Sequence, residues 1–321
     1  MPKQRILATA PISLTPIQIL EQIAPVEISP KPDADSLLTQ LTGTIAIVAR
    51  GVEAKIDRSL IEAAPELRVI GRPGAGYDTV DIAAATARRI PVVIAPVSGF
   101  AVAEGAIALL LAIVKKIPFG DSLVRQGQWQ RRYEYSTGDM TEHTLGIVGL
   151  GRIGSGLARL AQAFEMKILG YDPLVSAERG KALGVEMASL DELLARSDYV
   201  SLHMPLSEDT RGLINRERIA RMKRGAILIN TARGGVIESL DVLADALESG
   251  QLSAVGLDVF PTEPPDHTHR LFKDSRLLCA PHMLGVSDLA MERIYRSMAA
   301  DMVSVLRGER PRFCVNPEVL A

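Results

Sequence analysis

Residues 144–154 read T-L-G-I-V-G-L-G-R-I-G. A β-prone apolar run, 145–148, enters a turn carrying Gly149, Gly151 and Gly154, and a helical pattern follows with Leu157, Leu160, Ala161 and Phe164 on one face. A second apolar run, 167–171, ends in Asp172, eighteen residues after Gly154. Each part has a physical use. Gly149 permits a tight turn, Gly151 lets backbone approach a pyrophosphate, and Gly154 lets helix and strand pack closely. The helix N-terminus then offers unbonded N–H groups to phosphate oxygens. Asp172 is spaced to accept hydrogen bonds from an adenosine ribose. A glycine-rich turn alone says little. Set between a strand and a helix, with an acid after a second strand, it predicts a dinucleotide site. A carboxylate at 172 repels a 2′-phosphate, and Pro173-Leu174-Val175 bring no Arg or Lys to receive one, so the reading favours NAD over NADP.

Outward from this turn the pattern repeats. Ahead of it, apolar runs at 5–8, 45–48, 69–71 and 92–94 alternate with helical patterns at 16–23, 34–41, 58–63 and 81–88. Such alternation predicts a parallel sheet covered by helices. This stretch has no glycine fingerprint, so it is not expected to bind the dinucleotide. An apolar helix over 102–117 leads out of it, ended by Pro118, and a polar, aromatic stretch runs from Gly127 through Trp129 to Tyr135. Behind the turn, strands are expected at 199–202, 226–230, 254–259 and 277–280, and helices at 190–196, 216–222 and 240–249. A long amphipathic helix, 287–306, carries the chain away and is expected to return to the first unit. The predicted fold is therefore α/β with two Rossmann-like or flavodoxin-like parallel-sheet domains. A nucleotide domain, 99–285, is inserted into a discontinuous substrate domain, 1–98 and 286–321.

Bulk properties narrow the function. At 321 residues the chain is long for one core and suits two domains. A net charge of -2 gives no electrostatic case for nucleic acid or an acidic membrane. The longest apolar segment, 101–114, is shorter than the roughly 20 residues of a membrane span and contains Glu104. The N-terminal stretch, broken by Pro11 and Pro16, reads as strand and turn. Cys279 and Cys314 have no metal-ligand spacing, so no metal site is expected, and they read as reduced thiols of a cytoplasmic protein.

Ligands of open α/β sheets bind beyond the carboxyl ends of the strands. After the expected strands stand His203 and Pro205, then Thr231 and Arg233, then Asp258 and Glu263, then His282. A permanent cation, a carboxylate and an imidazole thus fall on one edge, with no nucleophile elbow among them. The trio suits an acid–base step on an anionic substrate beside NAD. The other histidines, His143, His267 and His269, read as capped or solvated residues, and Trp129 as a packing residue.

The chain resembles the D-isomer-specific 2-hydroxyacid dehydrogenase family over nearly its whole length. The matching pieces are G-R-P-G-A-G-Y-D-T-V-D (71–81), V-A-E (102–104), the glycine turn with Asp172, L-I-N-T-A-R-G-G (228–235), G-L-D-V-F-P-T-E-P-P (256–265) and A-P-H (280–282). Within the family it is most similar to the 3-phosphoglycerate dehydrogenase and hydroxypyruvate reductase branches. The resemblance implies that Arg233 binds the substrate carboxylate and carbonyl oxygen, which suits its planar, permanently charged fork. It implies that His282 is the acid–base and that Glu263 orients it and favours the imidazolium. Asp258 would face the nicotinamide carboxamide, and the N–H groups of Arg152 and Ile153 the pyrophosphate. His203, Pro205, Thr231 and Gly285 would also meet the cofactor. Gly74, Ala75 and Gly76 would present N–H groups to the substrate carboxylate. A homodimer is implied too, with helix 102–117 at its interface. Ala106, Leu109, Leu110, Ile113 and Val114 exceed what one narrow buried stripe needs.

Departures from the family fall on the substrate-facing loops. Arg50 stands where phosphoglycerate dehydrogenases carry a phosphate-binding arginine, but Gly51 replaces the common Ser. Arg72 matches, while Pro73 replaces a common Ala. The 96–104 stretch is one residue shorter than usual, and that from Arg233 to Leu247 one longer. A small substrate with a second anionic or polar group, bound by Arg50 and Arg72, is the expectation. Two other functions compete with reduction of a 2-oxo acid to its D-2-hydroxy acid. A phosphite-type anion dehydrogenase keeps the same trio, whereas the formate type has Gln where Glu263 stands. An NAD-sensing corepressor-like scaffold is disfavoured by the lack of a long tail. With the chain stopping at Ala321, no C-terminal regulatory domain is expected.

Overall fold

The computed structural model describes residues 3–51 and 55–320. Two compact units divide the chain, Met1–Ser98 with Ser287–Ala321, and Gly99–Val286.

The first unit is built on β1 (Arg5–Ala8), β2 (Val26–Ile28), β3 (Thr44–Val48), β4 (Val69–Arg72) and β5 (Val92–Ile94), with helices α1 (Leu14–Leu20), α2 (Ala34–Leu38), α3 (Arg58–Glu62) and α4 (Ile82–Ala87). The sheet is parallel, ordered β2-β1-β3-β4-β5, the flavodoxin-like arrangement. Its side chains alternate between two apolar layers. Ile6, Ala8, Val69 and Val93 enter one layer, and Leu7, Ile70 and Val92 the other. Burial on both faces is why these strands read as continuous apolar runs. Asp33, Asp57 and Asp81 cap α2, α3 and α4 by accepting from the N–H groups of Ser36, Leu60 and Ala84, each cap contributing ~1 kcal/mol. The long last helix, Asp288–Leu306, is capped by Ser287 and closes one face of this sheet. It packs so closely on β4 that a Cβ at Gly71 would collide with the Met302 side chain. Beyond it, the Asn316 amide is buried and ties the last residues to β5. Its Oδ1 accepts from Val92 N–H at 2.8 Å, and its Nδ2 donates to Ile90 O and Thr86 Oγ1, each at 3.0 Å.

The second unit opens with α5 (Gly99–Val114) and α6 (Ile117–Arg125). There follow β6 (Thr144–Val148), α7 (Arg152–Gln162), β7 (Lys167–Tyr171), α8 (Ala177–Ala182), β8 (Glu186–Met187), α9 (Leu190–Arg196), β9 (Tyr199–Leu202), α10 (Arg216–Arg221), β10 (Ala226–Asn230), α11 (Leu240–Glu248), β11 (Leu252–Leu257) and β12 (Leu277–Cys279). The seven strands are parallel in the order β12-β11-β10-β9-β6-β7-β8. The chain starts in the middle at β6, winds outward one way, then restarts at β9 on the other side. That is the doubly wound Rossmann topology, with its switch point between β6 and β9.

Two expectations are corrected here. Pro118 does not end the apolar helix. Lys116, at φ +51, breaks it, and Pro118 sits in the first turn of α6, where its missing N–H costs nothing. Along α5, Ala103, Ala106, Ile107, Leu109, Leu110 and Val114 are buried within their own unit, while Leu111 and Ile113 are only partly buried. Exposed apolar surface lies in the next segment, at Ile117, Val124, Trp129 and Tyr133. Trp129, expected to pack inside, is 56% exposed with the Arg132 guanidinium over its ring.

Candidate functional site: a dinucleotide turn and an acid–base group on one sheet edge

In a parallel sheet every strand ends on the same edge, so β6, β7, β9, β10, β11 and β12 deliver their following residues side by side. At the switch point, Gly149 has φ +99, and a Cβ there would stand 2.8 Å from the His203 carbonyl carbon. Gly154 is equally constrained, because its Cβ would strike the Gly149 carbonyl. Gly151 differs. Its φ of -67 suits any residue, and a Cβ there would meet no protein atom within 4 Å. Nothing within the fold requires glycine at 151, so the requirement points to a group approaching from outside. Gly151 is also the N-cap of α7 and supplies no side-chain acceptor. The first-turn N–H groups of Ile153 and Gly154 are therefore available to an anion.

Asp172 follows β7 with its carboxylate fixed. Oδ2 accepts from Leu150 N–H at 2.8 Å and Oδ1 from Leu174 N–H at 2.9 Å. The remaining lone pairs can serve two hydroxyls. After β9 and β10, His203 and Thr231 each keep a buried polar atom, Nδ1 and Oγ1, with no partner among the described residues. Such atoms are costly unless a ligand meets them. His203 Nε2 pairs with Ser201 Oγ at 2.9 Å, and burial pulls the imidazole down to about 3, so it is neutral. Pro205 is exposed, its carbonyl accepting from Thr210 Oγ1. Phosphate-facing N–H groups, a ribose acid and unpartnered polar atoms along one edge fit a dinucleotide.

Further along the edge, Glu263 Oε2 lies 2.7 Å from His282 Nδ1, and Glu263 Oε1 accepts from Phe260 N–H at 3.0 Å. Burial opposes ionisation of Glu263, but the bonds from His282 and Phe260, together with the nearby Arg233 charge, hold it below the usual glutamate value. It is a carboxylate at neutral pH. With Nδ1 committed to Glu263, Nε2 is the imidazole atom left to exchange a proton. Arg233 is brought to this pair by two residues the sequence reading passed over. Asn230, fully buried, accepts from Ala232 N–H and donates to Arg233 O, each at 3.0 Å, which shapes the loop. Gly234 then approaches Phe260 so closely that a Cβ would overlap its backbone, pressing the Arg233 loop onto the Glu263 loop. The Gly-Gly pair directly after Arg233 was the available signal.

Asp258 is 3% exposed, and its carboxylate accepts from Met283 N–H at 2.9 Å and from Leu284 N–H. Burial raises it against those bonds. This carboxylate is thus engaged with the chain itself, whatever else it faces. Gly285 has a packing reason for being glycine, since a Cβ would press on Val102. His143 stacks on Tyr199, and His269 Nδ1 accepts from Leu271 N–H, both as plain structural residues. In the first unit, Arg72 ends β4, Arg50 stands two residues after β3, and Gly74 has φ +96 with open space where a Cβ would point. Ala75 and Gly76 follow it in the same loop, with Ala75 exposed. Among the described residues no cluster of His, Cys, Asp and Glu could hold a metal, and no helix is long and apolar enough to cross a membrane.

Comparison with known proteins agrees with this geometry. Residues 107–283 match the model of the D-isomer specific 2-hydroxyacid dehydrogenase NAD binding domain. D-3-phosphoglycerate dehydrogenase of Methanocaldococcus jannaschii is 38% identical over 314 residues, covering 97% of this chain and 59% of that protein. The Mycobacterium tuberculosis enzyme of the same name is 40% identical over 279 residues, 87% of this chain and 52% of that one. The chain therefore spans little more than half the length of these curated relatives. Among solved structures, a glyoxylate reductase from Paecilomyes thermophila superposes with TM-score 0.89 at 30% identity, covering 99% of this chain and 100% of that one. A D-lactate dehydrogenase from Aquifex aeolicus, complexed with NAD and lactic acid, gives 0.88 at 28% identity, covering 98% and 99%. The chain belongs to the D-isomer specific 2-hydroxyacid dehydrogenase family, and its second unit is that family's NAD-binding domain.

Proposed function

We propose that the protein interconverts a small 2-oxo acid and its D-2-hydroxy acid with NAD. The observation that carries this is the His282–Glu263 pair, on the same strand edge as the dinucleotide turn and beside the Arg233 loop. NAD, when bound, supplies the hydride acceptor, or as NADH the donor. His282 gives the Nε2 proton to the carbonyl oxygen during reduction and takes the hydroxyl proton during oxidation. Glu263 stabilises the imidazolium on either path and fixes which nitrogen faces the substrate. Arg233 grips the substrate carboxylate and aligns the carbonyl.

The first unit is the proposed substrate domain, with Gly74, Ala75 and Gly76 offering N–H groups to the carboxylate. Arg50 and Arg72 would take a second anionic group, which fits the names of the phosphoglycerate dehydrogenase relatives. A second copy of the chain is the proposed partner. The partly buried Leu111 and Ile113 of α5 and the exposed Ile117, Val124, Trp129 and Tyr133 that follow support an interface along this segment. The two unpaired cysteines fit a reducing cytoplasm.

The test is NADH consumption on glyoxylate, hydroxypyruvate, pyruvate and 3-phosphohydroxypyruvate, with NAD reduction on phosphite run alongside. Turnover of at least one 2-oxo acid, lost by three or more orders of magnitude in His282→Ala, is the expected result. Tight NAD binding with no turnover of any of these acids would sink the proposal.

A further inference from the structure

Tyr295 is a buried residue whose hydroxyl neither the fold nor the proposed chemistry uses. It lies in the last helix, in line with Met298 and Met302, the two methionines that cover Gly71 of β4. Residues at that spacing share one helix face, so the Tyr295 ring joins the apolar layer over the sheet and is 3% exposed. Its hydroxyl oxygen is buried and has no hydrogen-bond partner among the described residues. Phenylalanine would fill the same space without a stranded polar atom, and leaving a buried hydroxyl unmade costs free energy. The oxygen therefore calls for a partner from outside the chain.

Its surroundings say what kind. Val48 pairs with Gly71, so β3 and β4 end side by side. Arg72 is the last residue of β4, and Arg50 follows β3 by two residues. Both leave the sheet at its carboxyl edge, where open parallel sheets bind ligands. Among the described residues Arg50 bonds only through its backbone, to Thr9 and to the Val48 carbonyl, which leaves its guanidinium without a hydrogen-bond or ion-pair partner there. Burial pushes the Tyr295 phenol above its ordinary value, and the nearby charges of Arg50 and Arg72 both pull it back. Two guanidiniums at adjacent strand ends, with a hydroxyl donor near them, suit a tetrahedral oxyanion, whose several oxygens can take all three.

We propose that Tyr295 is a specificity-determining residue, its hydroxyl donating to a phosphate ester at the far end of a substrate gripped by Arg50 and Arg72. This rests on the reading of the chain as a 2-hydroxyacid dehydrogenase and refines its substrate class. As the chain stands the hydroxyl is covered, and engaging it requires neighbouring side chains to move.

The experiment is Tyr295→Phe, which removes one oxygen and almost no volume. In steady-state kinetics the ratio of kcat/KM for 3-phosphohydroxypyruvate to that for hydroxypyruvate falls about tenfold, the value of one hydrogen bond to a charged group. An unchanged ratio overturns the proposal. If the wild-type protein turns over neither acid, the functional reading fails separately, and calorimetric titration with inorganic phosphate decides this one. About tenfold weaker phosphate binding by the variant supports it. Equal binding by both proteins, or none by the wild type, overturns it.

Discussion

The main-chain N–H of His282 donates to the carbonyl of Asp258 at 2.8 Å, while the Asp258 carboxylate holds the two residues that follow His282. His282 itself sits at φ +53, a left-handed conformation that side chains other than glycine adopt at some cost. Asp258 is therefore a positioning residue for the imidazole. Asn at 258 keeps the size but turns an NH₂ toward backbone donors. Asp258→Asn is expected to lower kcat by about 10²-fold, the scale of a 1 Å misplacement, with a smaller change in KM. Steady-state kinetics with a thermal melt check it. A kcat within twofold of wild type in a folded variant would reject the role.

The glycine turn offers a paired test. At Gly154 a Cβ would meet the Gly149 carbonyl, so Gly154→Ala should destabilise the unit by roughly 2 kcal/mol or more through overpacking. At Gly151 a Cβ meets nothing. Gly151→Ala should melt within about 1–2 °C of wild type yet bind NAD at least about tenfold more weakly, because the methyl intrudes where the pyrophosphate approaches. Calorimetric NAD titration beside a thermal melt separates the two effects.

His203 sets a pH dependence of stability. Its folded-state value is pulled to about 3 by burial, against ~6.5 in an unfolded chain. Between those values the unfolded chain binds more protons. Stability from this group is thus complete above pH ~6.5 and is lost as pH falls, by up to ~1.4 kcal/mol per unit. His203→Gln should flatten the fall in stability between pH 7 and pH 5, read by urea denaturation at each pH. Parallel curves for the two proteins would contradict this.

Asn316 makes the sharpest stability prediction. Asn316→Ala strands the Val92 N–H and the Ile90 carbonyl in a buried position. Each such group costs ~1–3 kcal/mol, so a loss of about 3 kcal/mol is expected in denaturant unfolding, with little change in NAD affinity. A loss below about 1 kcal/mol would mean that the last residues are not anchored this way.

Where both faces of a strand are buried, as at 167–171, 199–202 and 226–230, the apolar run states the element to the residue. Edge strands are quieter. Val26–Ile28 and Glu186–Met187 are short and partly exposed, so no run or alternation marks them. α6 was hidden because Pro118 reads equally as a stop or as a first-turn residue, and only the left-handed Lys116 decides. On the site, Arg233, Glu263 and His282 were legible because strand ends of a parallel sheet share an edge. The supports were not. The buried bonds of Asn230, the close approach of Gly234 and the grip of Asp258 on 283–284 depend on loop backbone paths that no local pattern encodes.

The contact between Gly71 and Met302 joins positions separated by most of the chain. The second unit is contiguous, so as the chain leaves the ribosome it holds all its own partners by residue 286. The first unit does not. One face of its sheet is covered only in part, by α1, until the helix 288–306 has been made, and non-local closure of that kind is slow. The order of folding is thus the reverse of the order of synthesis. The domain made first waits for its last helix, and during that wait its apolar layer around β4 is the surface most exposed to aggregation and most in need of a chaperone.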